Sequence, residues 1–332
     1  MLQQSPASGQ TGTEPTAPGH ENAMPAEAVA ARAAAVNRGV AIAALAFGVY
    51  ATSDALIKYS GGHAGVFVIG FFVTLFGIIP LIATRPKSEP WSQLFVMQRP
   101  WLVHLRAIVA IFGSICSVYA FTHLPLAEAY ALIFLIPFFV SLFSMIFLDE
   151  PIGWRRWLAV AFGFFGILLV VRPGFREVGI AHAAGLGVAV TAGINFVLLR
   201  KLAGAERRTT LIATLYLYLL VAFGLLMVRD FRMPDPGTML ALLAAGCFSG
   251  FGHQFILTAS KLAPASRIGS VQYSQIGWAI FYGIVFFGEV PDALTYLGLA
   301  IVAASGLFTL FREGMRFGWR NRPPATRPFL RL

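Results

Sequence analysis

THLPLAEAYALIFLIPFFVSLFSMIFLDEPIGWRRWLAVAFGFFGILLVVRPG, residues 122–174, returns in altered form as SKLAPASRIGSVQYSQIGWAIFYGIVFFGEVPDALTYLGLAIVAASGLFTLFR, residues 260–312. Each copy carries a long apolar stretch, a short acidic turn with a proline and a second apolar stretch, at an offset of 138 to 140 residues. Repetition at that scale marks a chain built from one structural unit used twice. Outward from the pair, three further apolar stretches precede each copy, so each half holds five. Five is odd, and a second unit that follows five crossings must enter a membrane inverted relative to the first.

The ten stretches cover residues 39–58, 64–83, 102–121, 126–148, 154–171, 180–199, 210–228, 238–257, 266–287 and 293–311. About 20 apolar residues span a hydrocarbon core of about 30 Å as a helix, and none of these stretches shows the alternating polarity of a barrel strand. The expected fold is an all-α polytopic membrane protein of ten transmembrane helices in two inverted five-helix repeats, residues 38–173 and 178–312. Residues 1–37, rich in Pro, Gly, Thr, Ala and Gln, read as a disordered cytoplasmic tail. Residues 313–332 read as a basic cytoplasmic tail. The first apolar run begins only near Gly39, so no cleaved signal segment is expected, and Met24 is an alternative start of translation.

Composition agrees. Of 332 residues, 57% are hydrophobic and 12% charged, half the roughly 25% charged usual in soluble domains. The mean hydropathy of +0.73 exceeds what one buried core can use. A soluble enzyme is excluded. The two cysteines, Cys116 and Cys247, lie in apolar stretches without a metal-binding spacing, so neither a disulfide framework nor a metal or other cofactor is expected. The net charge of +10 comes from Lys and Arg scattered through short connections, which argues against nucleic acid as a partner. Nineteen of the 25 fall on the side of the termini, five (Lys58, Arg172, Arg176, Arg229, Arg232) on the other, and Arg106 inside the third stretch. By the positive-inside rule both termini are cytoplasmic.

Several motifs make the chain similar to a known family: HLPLAEA at 123–129, Pro137, FLDEPIGWRRW at 147–157, GFFGILLVVRPG at 163–174, GH at 252–253, LAPASR at 262–267, VQYSQ at 271–275 and FGEVPD at 287–292. Together they resemble the EamA family of the drug/metabolite transporter superfamily over residues 38–312. The resemblance implies ten helices and passive or ion-coupled movement of small metabolites, often amino acids or drug-like amphiphiles, and leaves the substrate unfixed.

Ionisable groups inside a membrane helix are costly and therefore candidates for function. Asp54 lies about fifteen residues into the first helix, roughly 22 Å along it, on one face with Phe47, Tyr50 and Lys58. It is either a proton-titrating or amine-binding carboxylate in a cavity or a structural partner of Lys58 at i, i+4. Arg106 either attracts an anionic substrate group or reaches headgroups from the interface. Glu128 fits the N-terminus of the fourth helix through the macrodipole. In the ninth helix Gln272, Gln275, Trp278 and Tyr282 form a stripe of amides and aromatic rings, flanked by Tyr273 and Ser274, while Ile280 and Val285 point elsewhere. Such a stripe lines a cavity or makes helix-to-helix hydrogen bonds. His253 with Gln254, and Thr191 with Asn195, are weaker cases. Pro137 leaves the carbonyl of Ile133 without its usual partner and is a hinge or a static bend. Ala159, Gly163 and Gly166 in the fifth helix and Ala300, Ala303 and Gly306 in the tenth suit a packing scaffold and a homodimer surface. The acidic turns LDEP and FGEVP read as structural loops at the water interface.

These features point to a secondary transporter of the bacterial inner membrane, working by alternating access with membrane lipids around it, either coupled to protons or by facilitated diffusion. Export of amino acids or related amphipathic compounds is the first expectation. Import or exchange of a bulkier metabolite such as S-adenosylmethionine is the nearest rival, followed by a channel-like facilitator. A membrane enzyme would need a clustered His or carboxylate constellation and a primary pump a GxxxxGK[ST] loop; the sequence has neither.

Overall fold

The computed structural model describes residues 26–84, 91–148, 154–172, 177–202 and 204–320. Along the chain run α1 (Ala26–Gly61), α2 (Val66–Ala83), α3 (Pro100–His123), α4 (Leu126–Ile133), α5 (Ile136–Leu148), α6 (Trp154–Val171), α7 (Ile180–Leu202), α8 (Arg208–Met227), α9 (Pro236–Leu262), α10 (Ala265–Gln272), α11 (Ser274–Phe287) and α12 (Ala293–Arg320). Among the described residues every regular element is helical. Seven spans are long and apolar enough to cross a membrane: α1, α2, α3, α4 with α5, α7, α8 and α9. The other three expected positions are filled by α6 and α12, whose apolar runs are shorter, and by α10 with α11.

The first helix starts at Ala26, earlier than the boundary at residue 38, and α12 continues to Arg320 through the start of the expected basic tail. Residues 1–25, 321–332 and most of the LDEP turn lie outside the described residues. Local chemistry fixes other boundaries. Asp235 caps α9, its Oδ1 accepting from the N–H groups of Gly237 at 2.9 Å and Thr238 at 3.1 Å, with Pro236 in the first turn. The Thr238 hydroxyl, which donates to Oδ2, and after it the Thr238 N–H hold the Asp235 carboxyl below the usual carboxylate range.

The expected fourth and ninth helices are each two pieces. Between α4 and α5 the ladder tightens, with Leu135 N–H donating to the carbonyl of Leu132 at 3.1 Å. Pro137 supplies the cause, since it has no N–H to return to Ile133. Between α10 and α11 the break falls at Tyr273, where Ile276 N–H donates to the Tyr273 carbonyl at 3.1 Å. Tyr273 is the repeat counterpart of Leu135, and it interrupts its helix without a proline.

Packing follows the duplication. Exchanging α1 with α7, α2 with α8, α3 with α9, α4–α5 with α10–α11 and α6 with α12 maps several of the principal contacts onto one another. The α1–α9 seam becomes α7–α3, α2–α9 becomes α8–α3, α5–α7 becomes α11–α1, and α4–α7 becomes α10–α1. The α6–α12 seam maps onto itself. There a Cβ on Gly166 would lie 2.7 Å from the Gly298 carbonyl oxygen, and one on Gly298 would lie 2.5 Å from that of Gly166. Gly163 faces Ser305, and Gly306 lies under the ring of Tyr273. Gly163, Gly166 and Gly306, read from the sequence as packing scaffold and homodimer surface, therefore pack within the chain against Ser305, Gly298 and Tyr273, and α6 exposes Phe162, Phe164 and Phe165.

Overpacking that seam should destabilise the fold by about 1–3 kcal/mol. Gly298→Val is expected to lower the unfolding temperature in detergent, whereas Gly277→Ala, with open space around its Cβ position, should leave it unchanged. Equal unfolding temperatures would contradict the seam.

Candidate functional site

Elements from both repeats meet at Asp54. It is half-buried on α1 and accepts a hydrogen bond from the Tyr130 hydroxyl of α4. Gln275 of α11, only 8% exposed, donates its amide N–H to the same Tyr130 oxygen at 3.4 Å. Beside this link, Thr52 donates to the Gly48 carbonyl at 2.9 Å, so the Tyr282 hydroxyl, 2.7 Å away, donates to Thr52. Tyr50, one turn from Asp54, lies over Gly252 of α9, where a Cβ would stand 3.0 Å from its ring. That approach requires glycine in the GH motif.

Aromatic rings continue the wall. Trp278 stacks on Tyr282 with centroids 5.9 Å apart. Phe121 meets Tyr130 edge-on at 5.4 Å, and Tyr130 lies 6.2 Å from Phe134. Phe134, at the end of α4, stacks on Tyr273 at 4.9 Å and 16°. The two helix breaks thus touch through their rings, and a small cavity of about 40 Å³ behind them is lined in part by Pro137, Ser141, Ser305 and Gly306.

At the end of the molecule poor in Lys and Arg, ion pairs tie the elements together. Lys58 Nζ lies 2.7 Å from Glu289 Oε1 and donates to the Leu124 carbonyl at 2.6 Å. The other Glu289 oxygen accepts from the Leu126 N–H at 3.0 Å, at the start of α4. One carboxylate therefore joins α1, the α3–α4 turn and the α11–α12 connection. Arg172 pairs with Asp292, whose carboxyl is held far below the usual carboxylate range by that arginine and by the Thr295 N–H. Glu128 lies 3.5 Å from His182 Nε2. Among these groups is a cavity of about 180 Å³, lined in part by Glu128, Ile280, Glu289 and Asp292.

Several expectations change here. Lys58 is taken by Glu289, so it is not the partner of Asp54, which has no cationic partner among the described residues. Glu289 turns inward from the FGEVP turn instead of ending at the water interface. Ile280 lines the cavity rather than facing lipid, while Val285 is 58% exposed. Gln272 lies on α10, across the break from the rest of its stripe, because the ninth helix is not continuous.

Of the sequence candidates, Tyr50, Asp54, Tyr273, Gln275, Trp278 and Tyr282 converge on one region. Arg106, Asn195 and His253 lie toward the basic end. Arg106 Nη1 donates to the Leu211 carbonyl of α8 at 3.2 Å, so its guanidinium turns into the bundle rather than out to headgroups. Asn195 donates to the Thr191 carbonyl at 3.1 Å. His253 lies within electrostatic range of Arg208 and Arg106. Sequence reasoning passed over Tyr130, Thr52 and Glu289. Tyr130 directly follows the HLPLAEA motif, but a tyrosine in an apolar run gives no sign of its partner.

Residues 37–172 and 179–311 each match the EamA-like transporter family. A riboflavin transporter of Rhizobium johnstonii is 29% identical over 68% of this chain and 74% of its own. The pseudopaline exporter of Pseudomonas aeruginosa is 31% identical over 81% and 95%. An S-adenosylmethionine uptake transporter of Rickettsia felis is 24% identical over 79% and 88%. A solved crystal structure superposes with a TM-score of 0.58 at 19% identity, covering 86% of this chain and 99% of that one, which supports the fold.

The Lys58–Glu289 bridge is largely shielded from water, with side-chain exposures of 11% and 23%. Lys58→Met or Glu289→Gln alone should cost about 2 kcal/mol by stranding the other charge. The double substitution should cost less than their sum by about 1 kcal/mol or more. Unfolding in detergent measures this cycle, and strict additivity would show the bridge to be uncoupled.

Proposed function

The chain belongs to the EamA-like transporter family, and from that premise we propose that it is a secondary transporter of the bacterial inner membrane, carrying small organic metabolites that bear a flat aromatic or heterocyclic ring. Family and named relatives alike are transporters and not enzymes. The observation that carries the substrate class is the aromatic wall Phe121–Tyr130–Phe134–Tyr273 beside the hydrogen-bonding groups Asp54, Tyr130 and Gln275. Flat rings offer a ligand ring dispersion and offset stacking, and a few placed polar groups orient it. Riboflavin and S-adenosylmethionine, for which relatives are named, both contain flat ring systems. Such ring-bearing compounds displace amino acids as the leading substrates. The named relatives include an exporter and an uptake transporter, so direction here follows the imposed gradients.

The chain makes ten crossings on this reading, with the basic end and both termini in the cytoplasm. The Lys58–Glu289 and Arg172–Asp292 pairs support a state closed toward the periplasm. Opening that side requires both pairs to part, and the breaks at Leu135 and Tyr273 give each half a hinge at the contact between them. Asp54 is the ionisable side chain at that contact, and a carboxyl group there can exchange a proton with substrate during the cycle.

Proteoliposomes test this directly. Riboflavin or an adenine nucleoside should move across the membrane and alanine should not, with the flux responding to an imposed pH gradient. Asp54→Asn should reduce gradient-driven flux at least tenfold while leaving exchange at equal pH. Flux of alanine alone would remove the substrate class, and an undiminished gradient response in Asp54→Asn would remove the proton role.

A further inference from the structure

Toward the basic end, α3 and the two helices packed on it, α7 and α8, each bury a side-chain atom that lacks a hydrogen-bond partner among the described residues: Arg106 Nε on α3, Asn195 Oδ1 on α7 and Thr214 Oγ1 on α8. A fourth such atom, Glu206 Oε2, belongs to a carboxylate whose other oxygen already accepts from the N–H groups of Gln98 and Arg99. Buried polar atoms are nearly always paired, so several orphans close together mark a place where a partner belongs.

The helix registers bring them together. Gly187 of α7 lies against Cys116 of α3, and Thr191 lies against Gly113, so the two helices run antiparallel. One turn further along α7 is Asn195; the matching position on α3 is Val109, and Arg106 stands about one turn beyond it, within reach of an arginine side chain. On α8, Leu211 accepts from Arg106 Nη1 at 3.2 Å. Thr214 follows on the same stripe, which continues to Tyr218, bonded to His104 of α3 at 2.8 Å. From α9, His253 makes no hydrogen bond among the described residues and lies in the field of Arg106 and Arg208. Arg106 has no carboxylate partner among the described residues. A guanidinium with one carbonyl for five N–H donors, inside a membrane bundle, has a fork free for two oxygens of one anion.

We propose that Arg106, Thr214 and His253 form the binding position for an oxyanion of the transported metabolite, a carboxylate or a phosphate ester, with the Asn195 carbonyl oxygen accepting from a neighbouring hydroxyl or amine of the same molecule. The proposal rests on the transporter reading and adds to it a second recognition point. Arg106 is six residues from the start of α3 and Asp54 seven from the end of α1, about 9 and 10 Å along their helices at 1.5 Å per residue. Across a core of about 30 Å, about 10 Å separates the two levels. A substrate with its ring at Tyr130 and Tyr273 and an acidic group about 10 Å away fits both.

Thiol labelling tests the site without knowing the substrate. Asn195→Cys, in the full chain carrying Cys116→Ala and Cys247→Ala, is reacted in phosphatidylcholine vesicles with an anionic sulfonate methanethiosulfonate and with its cationic trimethylammonium analogue. The anionic reagent should react at least tenfold faster, and added Arg106→Gln should abolish that preference. Benzoate or inorganic phosphate in excess should slow the reaction. Thr214→Cys provides a second position if the first variant does not fold. Equal rates, faster cationic labelling or no reaction at either position would overturn the oxyanion site. Protection by phosphatidylglycerol in the vesicles, with none from the soluble anions, would assign the site to a lipid headgroup and overturn the metabolite. Labelling needs no turnover, so a flat ratio in protein that still moves ring-bearing compounds removes this site alone. A tenfold ratio in protein that moves none removes the transporter reading instead.

Discussion

A tyrosine hydroxyl joins the two halves of the molecule where each has a broken helix. Tyr130 of the first repeat donates to Asp54 and accepts from Gln275 of the second, and the rings of Phe134 and Tyr273 stack beside it. A hydrogen bond in a low-dielectric interior is strengthened, and an unmade one there is costly, so this link is held in one geometry or exchanged for another. A ligand that offers its own donor or acceptor to Asp54 or Gln275 could make that exchange. The candidate site and the two helix breaks are therefore one feature.

The remainder of the fold keeps that link in place. Without a hydrophobic drive between helices in lipid, association depends on close van der Waals contact and interhelical hydrogen bonds. Gly166 and Gly298 bring α6 and α12 into backbone contact. Gly252 lets α9 approach the Tyr50 ring. At the end poor in basic residues, Lys58 reaches Glu289 and the α3–α4 turn together.

How much of this was legible in the sequence depends on distance along the chain. The apolar stretches, the duplication and the stripe of α1 with Tyr50 and Asp54 are one-dimensional patterns and could be read directly. The interruption before Pro137 was signalled by the missing N–H. Its counterpart at Tyr273 was not, because no proline or glycine marks it, and Gln272 was therefore placed on the same face as Gln275. Lys58 stood four residues from Asp54, which made a local pair the natural reading. Its actual partner is Glu289, 231 residues away, and only the folded bundle brings the two together. Tyr130 escaped notice for the same reason.

The central claim is that the two ends open in alternation around the Asp54–Tyr130–Gln275 contact. Pulsed electron resonance in nanodiscs can measure it, with spin-label pairs at the exposed positions His63 and Val290 on one end and Gln98 and Lys261 on the other. Wild type is compared with Lys58→Met, which removes the bridge to Glu289. The account predicts that the first pair moves to longer distances in the variant while the second moves to shorter ones. Identical distributions in both proteins, or lengthening of both pairs together, would contradict it.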